Sequence, residues 1–175
     1  PRNIGPAGMS GRVTAIDAVW TNPDHIFLGT ASGGVWKTEN GGASWTPVFD
    51  EQSIQNIGSV AITQSNPSVV WAGTGEGNPR NSVSLGEGIY KSLDGGKTWK
   101  NTLFVNNQTG CSDLVIEPGN PSVLYAGMWR VIRTPHSMES GGDEAFADAC
   151  RSASIDWAAL KPKMRESGRY HVETY

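Results

Sequence analysis

The residues whose types and spacing could do chemistry are concentrated in one polar segment, residues 76–84. It holds a carboxylate, a guanidinium and two side-chain amides, at Glu76, Arg80, Asn78 and Asn81. Loops between strands commonly carry function. Together with Arg12 and Trp36, these residues predict a polar and aromatic patch for a sugar or a peptide segment. The alternative is a structural role, in which Glu76 and Arg80 pair with each other and order the loop.

Metal and redox chemistry are not indicated by the other reactive side chains. The three histidines are far apart in the sequence and have no acidic residue at a ligand spacing. We therefore expect no metal and no cofactor. Cys111 and Cys150 match neither a metal spacing nor a redox motif. A disulfide between them, in an oxidising compartment, and two buried free thiols both stay open.

The composition is typical of an all-β protein with many tight turns. Glycine accounts for 22 of 175 residues and there are seven tryptophans, while only 18% of the residues are charged. Average proteins have about 7% glycine and about 25% charged residues. The net charge of -3 argues against nucleic-acid binding, which needs a basic surface. No apolar run approaches the roughly 18 residues of a membrane helix. The chain begins without Met, so we expect a processed product or a fragment.

One turn motif occurs twice in the chain and marks the strands between which the polar segment lies. Residues 37–45 and 91–99 both fit the form Ser/Thr-x-Asp/Asn-x-Gly-x-x-Trp. Paired glycines favour a hairpin turn, and the hydroxyl and the carboxylate or amide can bond the turn's own amides. We assign a structural role to the residues that define the two motifs: Thr38, Asn40, Gly42, Trp45, Ser92, Asp94, Gly96 and Trp99.

The short apolar segments around the motifs recur in a fixed order. Trp45 to Ile62 and Trp99 to Ile116 are both 17 residues. The second unit carries a ten-residue insertion, residues 75–84, between its second and third strands. Four short strands in units of about 40–50 residues are typical of β-propeller blades. The sequence thus predicts an all-β fold with about two and a half blades of four antiparallel strands.

The last part of the chain departs from this pattern. No third turn motif follows Met128, and residues 143–164 are rich in alanine. We predict a partial propeller over residues 1–142 and a tail over residues 143–175. The tail contains short helices that could cap the last blade or dock on a neighbour, or else it is loosely packed. Because a propeller needs about four or more blades to close, we also expect a protein partner or self-association.

The turn motif resembles the Asp-box, or BNR repeat, of sialidases, sortilin-type receptors and xyloglucanase-type hydrolases. Residues 2–12, 29–37 and 73–82 resemble matching segments of bacterial exported BNR-repeat proteins that are described as sortilin-like or glycosyl-hydrolase-like. The resemblance covers residues 2–142. It implies a secreted protein, with an extracellular or periplasmic location.

The same resemblance argues against catalysis in this chain. Glycoside hydrolysis usually needs two carboxylates about 5–9 Å apart. In xyloglucanase-type enzymes one of them lies in a Thr-Asp-x-Gly-Gly segment, where this chain has Ala31 in place of the Asp. The Arg-Ile-Pro segment of sialidases is also missing. We therefore predict a non-catalytic binding or scaffold module that acts in a larger assembly through protein or glycan contacts. The alternative is part of a sialidase-like or xyloglucanase-like hydrolase whose catalytic residues are incomplete here.

Overall fold

The computed structural model is all-β, and its strands form three antiparallel sheets. It describes residues 12–77, 84–133, 138–141 and 170–173. Blade 1 contains β1 (Val13–Val19), β2 (Asn22–Thr30), β3 (Val35–Thr38) and β4 (Thr46–Pro47), in that spatial order. Pro47 lies on the edge strand, as a residue without a backbone donor should.

Blade 2 repeats this arrangement. It contains β5 (Ile57–Ile62), β6 (Val70–Thr74), β7 (Ile89–Ser92) and β8 (Lys100–Leu103), again in chain order. Four residues, 31–34, separate β2 from β3, and 14 residues, 75–88, separate β6 from β7. The difference of ten residues confirms the predicted insertion, and the four-stranded blades confirm the predicted fold class.

Blade 3 shows that the pattern does not stop after Met128. It contains β9 (Thr109–Glu117), β10 (Asn120–Arg133), β11 (Met138–Gly141) and β12 (Tyr170–Glu173). On the edge of β10 away from β9, β11 pairs with residues 130–133 and β12 pairs with residues 123–126.

The strand register identifies the position of β12 within blade 3. Val70 pairs with Ser92 in blade 2, and Leu124 pairs with Val172 in blade 3. β12 therefore occupies the third-strand position, after a long insertion in the chain. The helices predicted over residues 143–164 lie outside the described residues, but the described part of the tail, residues 170–173, is a strand rather than a helix.

The core lies between the blades. One apolar cluster joins blades 1 and 2 and contains Phe27, Phe49, Ile57 and Val70. A second cluster joins blades 2 and 3 around Trp71, together with other buried residues. Successive side chains of a strand point to opposite faces. Each blade can therefore bury one face against the blade before it and the other against the blade after it.

Both turn motifs form the local contacts that the sequence predicts. In the second copy the Ser92 hydroxyl donates to Asp94 Oδ1 at 2.8 Å and accepts the Gly96 N–H at 2.8 Å. Asp94 Oδ1 also accepts the Thr98 N–H at 2.8 Å. Trp99 reaches further, because its indole N–H donates to the Val48 carbonyl of blade 1 at 2.6 Å. The residues that make the matching contacts in the first copy are Thr38, Asn40, Gly42 and Ser44.

Candidate functional site

The connections between strands lie at two opposite ends of the blades. The turn motifs lie at one end, where the Gly41 N–H donates to the Asp24 carbonyl beside the β1–β2 hairpin. We call the other end the loop end. There the Gly34 N–H donates to the Gln55 carbonyl, and the Gly75 N–H donates to the Asn56 carbonyl. The loop end thus gathers the β2–β3, β4–β5 and β6–β7 connections. It is the end that carries the predicted binding loop.

A buried ion pair joins two of the predicted site residues at the loop end. The guanidinium of Arg12, in blade 1, donates to the carboxylate of Glu76, at the end of β6 in blade 2. The Glu76 side chain is 1% exposed, whereas that of Arg12 is 33% exposed. The guanidinium partner of Glu76 in the structure is therefore Arg12. The alternative partner Arg80 lies outside the described residues, as do Asn78 and Asn81.

Close backbone packing explains the burial of Glu76. Gly75 has a φ of 92°, which favours glycine. A Cβ on Gly86 would lie 2.3 Å from the Thr74 carbonyl oxygen and 2.4 Å from the Gly110 Cα. The glycines thus let blades 2 and 3 approach closely beneath Glu76. The cavity beside this carboxylate measures only about 10 Å³, which is room for about one water molecule.

The Glu76 cavity does not suit glycoside hydrolysis. Apart from Glu76, it is lined by glycines, serines, Trp129 and Val131, and none of these is acidic. A sugar ring does not fit in about 10 Å³. The carboxylate is therefore placed to hold Arg12 rather than to act as one of two catalytic acids.

Trp36 is held by the turn between β2 and β3. Its indole N–H donates to the Gly33 carbonyl at 2.7 Å, in the turn that also bonds the Arg12 carbonyl through the Ala31 N–H. The next residue, Lys37, lies over Phe27 on the face that packs on blade 2. Trp36 therefore belongs to the opposite face of blade 1. The ion pair joins Arg12 and Glu76 of the predicted patch, and the patch as a whole stays a prediction.

A larger cleft at the loop end was not found by the sequence reasoning. It has a volume of about 630 Å³, within the size range of about 300–1,000 Å³ for small-molecule sites. Its wall combines side-chain amides, hydroxyls, one carboxylate and three aliphatic residues. We call it the amide cleft, and its lining residues are Ser53, Ile54, Gln55, Asn56, Ser84, Leu85, Glu87, Asn107 and Ile132.

The polar groups of the amide cleft are held by neighbouring groups. Glu87 Oε2 accepts the Ser53 hydroxyl at 2.7 Å and the Tyr90 hydroxyl at 3.4 Å. Gln55 donates to the carbonyls of Phe49 and Gln52 at 3.1 and 3.0 Å. Asn107 and Leu85 are exposed at the surface of the cleft. Amides and hydroxyls beside aliphatic surface can bond sugar hydroxyls or peptide groups.

The sequence did contain a signal for the amide cleft. Amide side chains recur directly before the first strand of blade 2, at Gln52, Gln55 and Asn56. They recur before the first strand of blade 3, at Asn106 and Asn107. Connections at matching positions of a repeat lie at the same end of the fold, so these amides could have been grouped.

Within residues 12–77 and 84–133, together with the two short strand segments, no three His, Cys, Asp or Glu residues could hold a metal ion. No helix of the described part is long and apolar enough to cross a membrane. Cys111 is a free, buried thiol that donates to the Asp113 carbonyl at 3.2 Å. Burial raises the pKa of this thiol to about 12, so it is not a reactive nucleophile.

Comparison with known proteins agrees with the blade architecture. No protein-family model matches the chain. A xyloglucanase of Acetivibrio thermocellus is 33% identical over 113 residues, which cover 54% of this chain and 13% of the xyloglucanase. The GH74 enzyme of Niastella koreensis has a TM-score of 0.51 at 22% identity, over 73% of this chain and 21% of the enzyme. An ancestral GH74 enzyme has a TM-score of 0.52 at 25% identity, over 69% of this chain and 17% of the enzyme.

Fold and comparisons together define the class of protein. The chain is a set of β-propeller blades. It is similar to a xyloglucanase and to two GH74 enzymes, of which it spans about one fifth of the length or less. The narrower resemblance to exported sortilin-like proteins stays a prediction.

Proposed function

We propose that this chain is a non-catalytic binding or scaffold module of an exported propeller protein, and that it binds a glycan in the amide cleft. The observation that carries the proposal is the contrast between two cavities. The buried carboxylate Glu76 faces a cavity of about 10 Å³, whereas the roomy cleft of about 630 Å³ is lined mainly by neutral polar groups. The amide cleft has the room and the neutral polar groups that ligand binding needs, whereas the cavity at Glu76 has no room for a sugar.

The residues of the amide cleft support a neutral ligand. Asn56 and Asn107 offer amide donors and acceptors, and Leu85 offers aliphatic surface at 38% exposure. Glu87 is the one acidic residue among the lining residues, and two carboxylates are the usual requirement for glycoside hydrolysis. The related enzyme is named a xyloglucanase, so xyloglucan oligosaccharides are the first ligands to test. A polysaccharide ligand also supports an extracellular or periplasmic location.

Titration calorimetry with xyloglucan oligosaccharides tests this proposal. The double variant Asn56→Ala, Asn107→Ala removes two amides from the cleft and should weaken binding about tenfold or more, since each lost hydrogen bond contributes about 0.5–1.5 kcal/mol. The control is Asn120→Ala, which removes an exposed amide outside the amide cleft. Equal binding by all three proteins would contradict the assignment of the cleft.

A second candidate is that the chain forms part of a glycoside hydrolase. The 33% identity to the xyloglucanase favours it. Release of reducing ends from xyloglucan by the purified 175-residue chain measures this activity directly. Sustained turnover that is lost in Glu87→Gln would replace the binding-module proposal with an enzyme.

A further inference from the structure

A second large cavity lies along the first strands of the three blades. It has a volume of about 700 Å³, within the range of about 300–1,000 Å³ for ligand sites. Its walls are segments of β1, β5 and β9, and it extends to the hairpins that follow these strands, at Trp20, Gln64 and Gly119. We call it the hairpin cavity. None of its described lining residues also lines the amide cleft, so the two are separate sites.

Contacts between blades hold the walls of the hairpin cavity in place. The Ile62 N–H of β5 donates to the Asp17 carboxylate of β1 at 2.7 Å. On the other side, the Ser59 hydroxyl of β5 donates to the Cys111 carbonyl of β9 at 3.4 Å. The cavity is therefore formed by three packed strands rather than by a single loop, and its shape is set by the fold.

The hairpin cavity offers apolar surface to a ligand. Trp20 and Ile16 of blade 1 are 80% and 65% exposed, and Val115 of blade 3 is 38% exposed. The backbone N–H of Trp20 donates to Gln64 Oε1 at 2.9 Å, which fixes the hairpin that carries the indole. Aromatic side chains give much of the binding energy at protein interfaces, because they bury a large area. A ligand that covers Trp20 and Ile16 would gain this area.

The charged groups of the hairpin cavity all have the same sign. Among its described lining residues these are the carboxylates Asp17, Asp113 and Glu117, without a lysine, arginine or histidine. Burial raises the pKa of Asp17, although the N–H groups of Ile62 and Ala18 bond its carboxylate and act to lower it. A cation nearby would favour the charged form of these carboxylates. The cavity therefore favours a positively charged ligand, whereas the amide cleft favours a neutral one.

A buried hydroxyl points to a ligand independently of the carboxylates. Thr63 lines the hairpin cavity and is only 4% exposed. Its Oγ1 has no hydrogen-bond partner in the described part of the chain. A buried polar group without a partner has a free-energy cost, which a ligand that bonds this hydroxyl would remove.

We propose that the hairpin cavity binds an extended basic peptide segment, with lysine or arginine at the carboxylates and apolar side chains against Trp20 and Ile16. The first strand of each blade has one edge that pairs with no other strand among the described residues. Such edges present N–H and C=O groups that an extended peptide can bond. A peptide combines these backbone groups with cations and apolar side chains, and a neutral sugar carries no cation. This proposal is independent of glycan binding in the amide cleft.

Fluorescence anisotropy with a labelled peptide of alternating leucine and lysine tests the proposal. The peptide has capped ends and about six residues, the common length of a strand. It should bind with a dissociation constant below about 100 μM, and the affinity should fall as the salt concentration rises. A peptide of alternating leucine and glutamate should not bind. Absence of binding by the basic peptide at about 100 μM, or equal binding by the acidic one, would overturn the proposal.

A pair of charge variants locates the bound peptide. The double variant Asp113→Asn, Glu117→Gln removes two carboxylates from the hairpin cavity and should weaken peptide binding about fivefold or more. The matched control is Asp50→Asn, Glu51→Gln, which removes two exposed carboxylates outside the cavity. This control should leave the affinity unchanged. Equal weakening by both double variants would mean that the peptide responds only to net charge, and the cavity would lose its assignment.

Two neutral variants test the other contacts of the peptide. Thr63→Val keeps the size of the side chain and should leave the melting temperature unchanged or higher, because the hydroxyl has no described partner. It should still weaken peptide binding about threefold. Trp20→Ala should weaken it about tenfold, and thermal melting shows whether each variant is folded. Unchanged peptide affinity in both variants would overturn the proposal. So would xyloglucan oligosaccharide binding that is lost in Trp20→Ala, since the cavity would then be a glycan site.

Discussion

Replacing Arg12 with methionine should destabilise the fold by about 1–3 kcal/mol. Removing one partner of a fully buried ion pair costs about 3–5 kcal/mol, because an uncompensated charge is left behind. Glu76 meets this condition with a side chain that is 1% exposed, but Arg12 is 33% exposed. Water therefore screens part of the charge, and we expect a smaller loss of about 1–3 kcal/mol.

Urea unfolding followed by tryptophan fluorescence measures this loss. A double-mutant cycle with Arg12→Met, Glu76→Gln and the double variant isolates the interaction between the two side chains. The double variant should be more stable than Arg12→Met, because the neutral amide needs no counter-charge. The control is Glu39→Gln in the ion pair between Lys37 and Glu39, where Glu39 is 70% exposed. Such an exposed pair contributes about 0–1 kcal/mol.

The cycle can refute the reasoning in two ways. If Arg12→Met costs no more than Glu39→Gln, the buried charge is not the cause of the stability. If the double variant is no more stable than Arg12→Met, the guanidinium acts through packing rather than through its charge on Glu76.

Three further predictions concern the turn motif and the buried thiol. Ser92→Ala should lower the free energy of unfolding in urea by about 1–3 kcal/mol, because the buried Gly96 N–H loses its acceptor. Hydrogen bonds from the side chain and backbone of Thr98, and from Ser92, lower the pKa of Asp94 from 3.8 to about 2. Its contribution to stability is therefore complete above about pH 4 and is lost as the pH falls towards 2, and Asp94→Asn should flatten this part of the stability profile. In a Cys150→Ser background, Cys111 should react with a thiol reagent only after unfolding, since burial raises its pKa to about 12; rapid labelling of the native protein would contradict this.

The sequence predicted the features that depend on short-range contacts. Each turn motif is closed by hydrogen bonds between residues two to four positions apart, such as Ser92 to Asp94 and Ser92 to Gly96. Such contacts can be predicted without knowing the rest of the fold. Repeat spacing then placed the strands of blades 1 and 2, because one blade is a template for the next.

The candidate site could not be predicted in the same way. Arg12 and Glu76 are 64 positions apart and meet only because blades 1 and 2 pack face to face. Arg80 was a nearer guanidinium in the sequence, so spacing alone favoured it as a partner. Blade 3 shows a related difficulty. Its third strand, Tyr170–Glu173, follows a long insertion and lacks the turn motif that marks the others.

The ion pair and the amide cleft are connected through the chain between them. The Glu76 N–H donates to the Ser84 carbonyl at 3.2 Å, and Ser84 lines the cleft. At the other end of this loop, the Glu87 N–H donates to the Thr74 hydroxyl at 2.8 Å. One wall of the cleft is therefore held by the backbone N–H of Glu76 and by the side-chain hydroxyl of Thr74, two residues before it. We therefore expect Arg12, which does not line the cleft, to position this wall through Glu76. Arg12→Met should then weaken oligosaccharide binding in the folded protein, and Glu76→Gln in the same chain should restore part of it, whereas a purely global loss of stability would leave the affinity of the folded fraction unchanged.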